Sequence, residues 1–300
     1  MKRIVITGAS SFIGRHIINK LINEKEWIIY AVIRSKSALE TWKNVSCIKT
    51  IVIDMYRYKY LSDMIETADV AIHLAWEGTR GDDRKNKEIQ KKNMQYSLDL
   101  LEELKKMRIR TIVSAGSQAE YGPYNKKISE DTVPHPITAY GIYKLKFYEQ
   151  MSEFCESNNI RCIEPRFFSL YGEGDADTTL ISSTIKKMQK NEACYFSTCE
   201  QVWNFLHIDD AVNGIVNLIK NKQCHGIYNF GSNDTRKLKV FVLTMAKLLK
   251  TKSKLYFGAR NHNDTGVYGI DPNITKLSST GWTPEITFED GIMRLVEKFD

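Results

Sequence analysis

Short apolar runs alternate with longer amphipathic stretches along the first half of the chain. The amphipathic stretches cover 12–23 and 89–107, and in the second the apolar positions keep roughly helical spacing. The apolar runs are rich in β-branched residues and have the length of strands; they lie at 4–6, 28–33, 48–53, 70–74 and 111–114. Alternation of strand and helix favours right-handed βαβ crossovers. We therefore predict an α/β fold with a doubly wound parallel sheet covered on both faces.

The alternating pattern continues to about residue 175 and then loosens. A helix is predicted over 139–157, followed by a strand over 160–164 that Pro165 ends. Beyond this point we expect short strands around Tyr195 and Tyr228 and a turn-rich tail near the end of the chain. Further helices are predicted over 180–190, 209–220 and 237–250.

Length and composition set the broad class of protein. A chain of 300 residues fits about two domains. We place a larger domain over 1–175 and a smaller α/β lobe over 176–300. With 42% hydrophobic and 26% charged residues, the composition is that of an ordinary globular protein. No apolar stretch is long enough for a membrane helix, and the start at Met1 has no signal-peptide pattern.

Charge and cysteine content narrow the partners and the compartment. The net charge of +7 is dispersed and mixed with acidic residues, so we expect neither nucleic acid nor a membrane as a partner. The six cysteines form no CxxC pair and have no histidine at ligand spacing beside them. This pattern predicts neither a disulfide framework nor a metal site. We therefore expect a cytoplasmic protein.

The first predicted strand runs directly into a loop with the sequence Thr7-Gly8-Ala9-Ser10-Ser11-Phe12-Ile13-Gly14, and then into a helix. Gly8 permits the tight turn that leaves the strand, and Gly14 lets the helix and the strand pack closely. The unpaired N–H groups and partial positive charge of the helix N-terminus suit a pyrophosphate. We predict a dinucleotide-binding loop with cofactor contacts from Gly8, Ser10, Ser11, Phe12, Ile13 and Gly14.

The end of the second strand indicates which dinucleotide binds. It carries Arg34, Ser35 and Lys36, about 20 residues beyond the loop. An acidic residue here would hold the ribose 2′-hydroxyl of NAD, whereas these three offer a guanidinium, a hydroxyl and an ammonium to a 2′-phosphate. We therefore favour NADP(H), with NAD(H) as the alternative. Asp54 and Met55, just after the third strand, are expected to border the adenine.

A serine, a tyrosine and a lysine form the candidate catalytic set. Ser117 follows the fifth strand, and Tyr140 and Lys144 lie four residues apart, on one face of the predicted helix. A lysine ammonium near a phenol stabilises the phenolate, so we expect the pKa of Tyr140 to lie below its usual value. Tyr140 can then exchange a proton with a carbonyl or hydroxyl oxygen while Ser117 hydrogen-bonds the same oxygen. This set predicts hydride-transfer chemistry.

These motifs resemble those of the extended short-chain dehydrogenase/reductases, and more narrowly the nucleotide-sugar epimerases, dehydratases and reductases. The segment His73-Leu74-Ala75-Trp76 resembles the strand-four segment that lines the cofactor. The segment 165–172 resembles the one between nicotinamide and sugar, and 204–210 resembles a stretch of the substrate lobe. Ser11 stands where the family has the middle glycine of its loop. The resemblance covers nearly the whole chain and implies a Rossmann fold.

The resemblance also implies ligand contacts outside the loop. Cofactor contacts are expected from Leu74, Ala75, Trp76, Asn93, Ser114, Tyr140, Lys144, Pro165, Phe167 and Phe168. Substrate contacts are expected from Trp76, Gly78, Thr79, Ser117, Gln118, Ser169 and Arg260. Dimerisation through the helices at 89–107 and 139–157 is common in the resembled family, so a homodimer is expected.

Three reactions share this scaffold. The dehydratases place an Asp-Glu pair directly after the catalytic hydroxyl residue, but here Gln118 and Ala119 hold those positions and Glu120 lies one residue beyond them. Neither Gln118 nor Ala119 can act as a general acid or base, so 4,6-dehydration is not expected. Because the second strand ends in basic residues, we predict NADPH-dependent reduction of the 4-keto group of a nucleotide-diphosphate deoxysugar. An NAD-dependent 4-epimerase and a non-catalytic NADP-binding sensor or scaffold stay open as alternatives.

Overall fold

The computed structural model describes residues 1–36, 41–261 and 269–299. The chain forms two compact units that interleave in sequence. The first comprises Met1–Gly122, Pro134–Arg166 and Ile215–Tyr228, and the second comprises Pro123–Val133, Phe167–Gly214 and Asn229–Asp300. The predicted domain limits at residues 175 and 176 stay a prediction.

Strands and helices alternate through the first half of the chain. The strands are β1 (Lys2–Thr7), β2 (Trp27–Ile33), β3 (Ile48–Val52), β4 (Val70–His73), β5 (Thr111–Ser114), β6 (Gly116–Ser117), β7 (Arg161–Phe167), β8 (Ser169–Tyr171), β9 (Cys194–Tyr195), β10 (Val202–His207), β11 (Gly226–Phe230), β12 (Thr235–Lys237) and β13 (Leu255–Tyr256). The helices are α1 (Phe12–Glu24), α2 (Lys87–Lys106), α3 (Ala139–Ser157), α4 (Leu180–Gln189), α5 (Ile208–Lys220), α6 (Leu238–Leu248), α7 (Thr275–Ser278) and α8 (Phe288–Phe299). Short 3-10 helices lie at Met55–Asp63, Gly81–Lys85 and Gln118–Glu120.

The largest sheet has the strand order β11-β7-β5-β4-β1-β2-β3, and β6 pairs with β7. The pairings from β3 through β2, β1, β4 and β5 to β7 are parallel. The order reverses between β1 and β4, and ligands of such sheets bind outside the carboxyl ends of the strands at this point. The predicted α/β fold with a doubly wound, Rossmann-like parallel sheet is therefore confirmed.

Packing of α2 and α3 forms part of the core of the first unit. Leu100 and Leu104 of α2 and Phe147 and Met151 of α3 are almost fully buried, in one cluster with Val5 and other sheet residues. Burying one such side chain stabilises the fold by about 1.5–3 kcal/mol. Side-chain caps start both helices, because Asn86 accepts two backbone N–H groups at the start of α2 and Thr138 accepts one at the start of α3. No helix among the described residues combines the length and apolar character needed to cross a membrane.

The second unit has a separate aromatic core. Its strands form the sheet β12-β10-β8 and the parallel pair β13-β9. Phe205 of β10 packs edge-on against Phe241 of α6, with ring centroids 5.1 Å apart, and stacks on Phe288 of α8 at 5.6 Å. Ile292 and Leu295 of α8 are buried in the same cluster.

One prediction from the apolar pattern was wrong, and some elements were missed. Pro165 does not end a strand, because β7 continues to Phe167. The hydrogen-bonded ladder from β5 ends at the pair Val113–Ile163, so the missing N–H of Pro165 removes no bond to β5. The predicted turn-rich tail contains α8, and β10 was missed altogether.

Candidate active site

The loop between β1 and α1 has the geometry that a pyrophosphate needs. Gly8 has a φ of +67°, and a Cβ on it would lie 2.8 Å from the backbone nitrogen of Ala75. A Cβ on Gly14 would lie 2.5 Å from the carbonyl oxygen of Gly8. Ser11 is the N-cap of α1, its Oγ accepts the N–H of Gly14 at 3.1 Å, and its own hydroxyl hydrogen stays available to a ligand. The loop therefore has the tight turn and the free helix N-terminus that suit the pyrophosphate of a dinucleotide.

The basic residues at the end of β2 lie at the surface. Arg34, Ser35 and Lys36 are exposed. Nη1 of Arg34 lies 3.7 Å from Oε1 of Glu77, and both side chains are more than 60% exposed. An ion pair this exposed is weak, so Arg34 can exchange Glu77 for a stronger anion such as a phosphate. Asp54 and Met55 are half-buried at the start of the 3-10 helix Met55–Asp63.

The predicted catalytic side chains come together in the first unit. The side chain of Ser117 lies near the phenol of Tyr140 and lowers its pKa, against the larger effect of burial. Nζ of Lys144 donates to the carbonyl oxygen of Ala115 at 2.7 Å, which fixes the ammonium at the end of β5. Tyr140 and Lys144 are 8% and 4% exposed. Burial lowers the pKa of Lys144 to about 8.

The expected effect of Lys144 on the pKa of Tyr140 was wrong. Burial raises the pKa of the Tyr140 phenol, and the cation that opposes this rise is the guanidinium of Arg84. Cζ of Arg84 lies 4.7 Å from the ring centroid of Tyr140. The ammonium of Lys144 lies instead over the ring of Trp76, at 3.9 Å from its centroid. The phenol therefore keeps its proton more firmly than free tyrosine does.

Two amide side chains of α2 fix the loop after β4. Oε1 of Gln90 accepts the indole N–H of Trp76 at 2.7 Å, and its Nε2 donates to the carbonyl oxygens of Gly78 at 2.9 Å and Asp83 at 3.0 Å. The amide of Asn93 accepts the N–H of Glu77 at 3.0 Å and donates to its carbonyl oxygen at 2.8 Å. Asn93, predicted as a structural and cofactor contact, thus positions the loop that follows β4.

A directional chain of hydrogen bonds runs beneath this loop. Ser97 donates to the carbonyl oxygen of Asn93 at 2.7 Å, so Nε2 of His73 donates to Ser97 at 2.8 Å. Nδ1 of His73 then accepts from the hydroxyl of Thr7 at 2.7 Å, and the hydroxyl of Tyr58 bonds Thr7 in turn. Burial lowers the pKa of His73 to about 3. His73 is therefore a neutral residue that ties β1 and β4 to α2.

A buried ionic cluster supports Ser117. Oε1 of Glu120 accepts the N–H of Ser117 at 2.7 Å, and Oε2 of Glu120 lies 3.1 Å from Nη2 of Arg166. Nε of Arg166 donates to Oε1 of Glu164 at 2.8 Å. Burial, followed by the nearby charge of Glu120, raises the pKa of Glu164 well above its usual value. Glu120 therefore holds the turn that carries Ser117, which explains an acidic residue at this position without a role in dehydration.

The remaining predicted site residues fall in both units. Thr79 is exposed, Ser114 is buried at the end of β5, and Gln118 is half-buried in the turn after Ser117. Leu74, Ala75 and Pro165 also belong to the first unit, whereas Phe167, Phe168, Ser169 and Arg260 belong to the second. The backbone N–H of Phe168 donates to the carbonyl oxygen of Phe230 at 3.1 Å. The backbone N–H of Arg260, whose side chain is exposed, donates to the carbonyl oxygen of Phe196 at 3.1 Å. Their ligand contacts stay predictions.

Sequence reasoning missed Arg84, Gln90, Glu164 and Arg166. Gln90 carried a signal, because Gln90, Asn93 and Ser97 are polar and keep helical spacing on the inward face of α2. Arg84 carried none, since its neighbours in sequence form an ordinary charged surface segment. Arg84 comes to Tyr140 through the fold of the loop that Gln90 holds.

Comparison with known proteins identifies the family. The model of the NAD dependent epimerase/dehydratase family matches residues 4–231. The chain belongs to this family. It is thus an enzyme of the epimerase/dehydratase group, and the resemblance to the extended short-chain dehydrogenase/reductases is confirmed.

Individual relatives match along nearly their whole length. The chain is 25% identical to the CDP-abequose synthase of Salmonella muenchen, covering 98% of this chain and 97% of that protein. It is 23% identical to the dTDP-4-dehydro-6-deoxyglucose reductase of Escherichia coli, covering 98% and 96%. Among solved structures, the UDP-glucuronic acid 4-epimerase of Bacillus cereus, in complex with UDP-glucuronic acid and NAD, matches with a TM-score of 0.88 at 20% identity, covering 99% and 100%. This last likeness concerns the fold.

Proposed function

We propose that this enzyme catalyses the NADPH-dependent reduction of the 4-keto group of a nucleotide-diphosphate deoxysugar. The observation that carries the proposal is the set of Ser117, Tyr140 and Lys144, in which the buried phenol lies near the half-buried serine and the buried ammonium is fixed on a backbone carbonyl. The similarity to the dTDP-4-dehydro-6-deoxyglucose reductase of Escherichia coli supports this direction of reaction.

The protein side chains supply the proton and the orientation. When bound, NADPH supplies the hydride that reduces C4 of the sugar. Tyr140 gives its phenolic proton to the ketone oxygen, so the ketone becomes an alcohol and the tyrosine becomes a phenolate. Ser117 hydrogen-bonds the same oxygen and orients it. The phenol carries its proton at neutral pH before the reaction, and burial, which raises its pKa, opposes the release of that proton.

Lys144 and the loop residues hold the reacting partners in place. The ammonium of Lys144, held by the carbonyl oxygen of Ala115, would bind the nicotinamide ribose. The N-terminus of α1, with Gly8 and Ser11, would hold the pyrophosphate, and Arg34 would pair with the 2′-phosphate. Trp76, Gly78, Thr79, Gln118, Ser169 and Arg260 stay the proposed substrate contacts.

The test is turnover with a 4-dehydro-6-deoxy sugar nucleotide. Purified enzyme should consume NADPH and release one NADP⁺ for each sugar reduced, and Tyr140→Phe should still bind NADPH while losing turnover about 10²- to 10⁴-fold. Equal turnover in Tyr140→Phe would contradict the role of the phenol and favour a sensor or scaffold.

A 4-epimerase is the second candidate, and Glu77 favours it. Its carboxylate, 3.7 Å from Arg34, could accept a hydrogen bond from the ribose 2′-hydroxyl of NAD. Interconversion of two sugar nucleotides without net cofactor use would establish the epimerase. Calorimetry of NADPH and NADH with wild type and Glu77→Gln separates the two cofactor preferences, because removing the carboxylate should strengthen NADPH binding and weaken NADH binding.

A further inference from the structure

Arg84 makes an unusual contact beside the catalytic set. It lies in the 3-10 helix Gly81–Lys85 and is half-buried. Its guanidinium packs on the face of the Tyr140 ring, with Cζ 4.7 Å from the centroid. Its Nε is buried and has no hydrogen-bond partner in the part of the chain that the structure describes. A guanidinium in this position is attracted by the ring and still has a donor for another group.

The position of Arg84 is built into the fold. The residue before it, Asp83, gives its carbonyl oxygen to Nε2 of Gln90, and Gln90 is fully buried in α2. The same amide group also bonds the carbonyl oxygen of Gly78. The two bonds fix the segment from Gly78 to Asp83 on the helix, so Arg84 is delivered to Tyr140 by a rigid support.

The charges around Tyr140 leave Arg84 a distinct role. Burial and the carboxylates of Glu120 and Glu164 raise the pKa of Tyr140, while Arg84 and the hydrogen bond from Ser117 lower it. Lys144 is committed to the carbonyl oxygen of Ala115 and to the ring of Trp76. The guanidinium of Arg166 is engaged by the two carboxylates.

We propose that Arg84 is a positioning residue of the active site, whose guanidinium holds the ring of Tyr140 and stabilises the phenolate that forms when Tyr140 gives up its proton. This inference rests on the proposed function, because it assigns Arg84 to the proton transfer of Tyr140. The charge and the planar shape of the guanidinium both contribute, so lysine should replace arginine only in part. Without a cation here, Tyr140 becomes a weaker acid and a poorer proton donor.

The test is the ionisation of the residue at position 140 itself. A fluorinated tyrosine, whose phenol ionises at lower pH than tyrosine, is placed at position 140 alone and titrated by fluorine NMR without cofactor or substrate. Arg84→Met should shift the midpoint to higher pH, and Arg84→Lys should restore most of the shift. Lys85→Met is the matched control, because it removes an exposed cation from the next residue of the same turn. Its midpoint should equal that of the wild type.

Two outcomes would overturn the inference. Either the midpoint in Arg84→Met stays where it is in the wild type, or Lys85→Met shifts it equally, which would indicate a general charge effect. Circular dichroism checks folding, and Arg84→Gln replaces the Met variant if that variant unfolds.

Kinetics with a 4-keto sugar nucleotide should give a roughly tenfold lower kcat for Arg84→Met with little change in KM. Because the titration contains no ligand, a failure of the proposed reduction would not alter its result.

Discussion

At the scale of single residues, burial decides the chemistry of the catalytic set. Tyr140 and Lys144 are both buried, and burial disfavours the charged form of each. The phenol of Tyr140 therefore holds its proton more firmly than free tyrosine does, whereas the ammonium of Lys144 holds its proton less firmly than free lysine does. Burial thus keeps Tyr140 protonated at neutral pH, makes the phenolate harder to form, and makes the charge of Lys144 sensitive to mildly alkaline pH.

The pH dependence of reduction should reflect Lys144. Because its pKa is lowered to about 8, Lys144 loses the charge with which it would bind the nicotinamide ribose as pH rises through about 8. The value of kcat/KM for reduction should therefore fall above this pH, while the raised pKa of Tyr140 places its own ionisation higher. Lys144→Arg, which keeps its charge at higher pH, should move this fall to higher pH. A profile that is flat to pH 10 in the wild type would contradict the assignment.

At the scale of elements, the polar face of α2 connects the sheet to the site. Gln90, Asn93 and Ser97 are buried at helical spacing, and each bonds a group of β4 or of the loop after it. Buried polar groups of this kind stabilise only when every partner is present. The geometry of the loop that carries Trp76 and Arg84 therefore depends on a helix that contains none of the predicted catalytic residues.

The buried His73 should make the protein sensitive to acid. Its pKa is lowered from 6.5 to about 3 in the folded protein. As pH falls, this histidine therefore takes up a proton in the unfolded chain before it does so in the folded protein. The stabilisation is complete above pH 6.5 and is lost at about 1.4 kcal/mol per pH unit as pH falls toward 3. Urea unfolding should show about 2 kcal/mol less stability from this group at pH 5 than at pH 7. His73→Gln should reduce that difference; an equal difference in both proteins would contradict this account.

Glu164 of β7 should make the folding stability depend on pH in the opposite direction. Its pKa is raised, so the folded state favours the protonated carboxyl, and stability is lost as pH rises through the usual range of a glutamic acid toward the raised pKa. Glu164→Gln mimics the protonated carboxyl, and its amide oxygen can still accept a hydrogen bond from Arg166. The variant should therefore lose less stability as pH rises and should cost little stability itself. Glu120→Gln is the matched variant, and it should destabilise more because Glu120 bonds Ser117 and pairs with Arg166. Thermal unfolding of both variants between pH 5 and pH 8 measures the difference.

At the scale of the whole molecule, the sequence predicted the sheet and the phosphate loop because both depend on local patterns. The strands β1, β2, β4 and β5 coincide with apolar runs of the sequence. The loop could be predicted from Gly8 and Gly14, because the close contacts at these two positions leave no room for a side chain. Helix α8 was missed although Phe288, Ile292 and Leu295 keep helical spacing, because the turn residues before it dominated the pattern.

The features that could not be predicted depend on contacts between distant parts of the chain. Arg84 meets Tyr140 across more than fifty residues, and Glu120 meets Arg166 across more than forty. Neither pairing leaves a periodic signal. The pKa of Tyr140 could not be predicted either. Burial, which the spacing of Tyr140 and Lys144 does not reveal, raises this pKa by more than Arg84 lowers it.

The proposed reaction can be tested by following the transferred hydrogen. Enzyme is supplied with NADPH that carries deuterium at C4 of the nicotinamide and with a 4-keto deoxysugar nucleotide, and the product is analysed by mass spectrometry and NMR. The account predicts one deuterium on C4 of the product sugar, and no transfer by Tyr140→Phe although that variant still binds NADPH. Recovery of the 4-keto sugar nucleotide without deuterium and without loss of NADPH, from wild-type enzyme that binds NADPH, would contradict it.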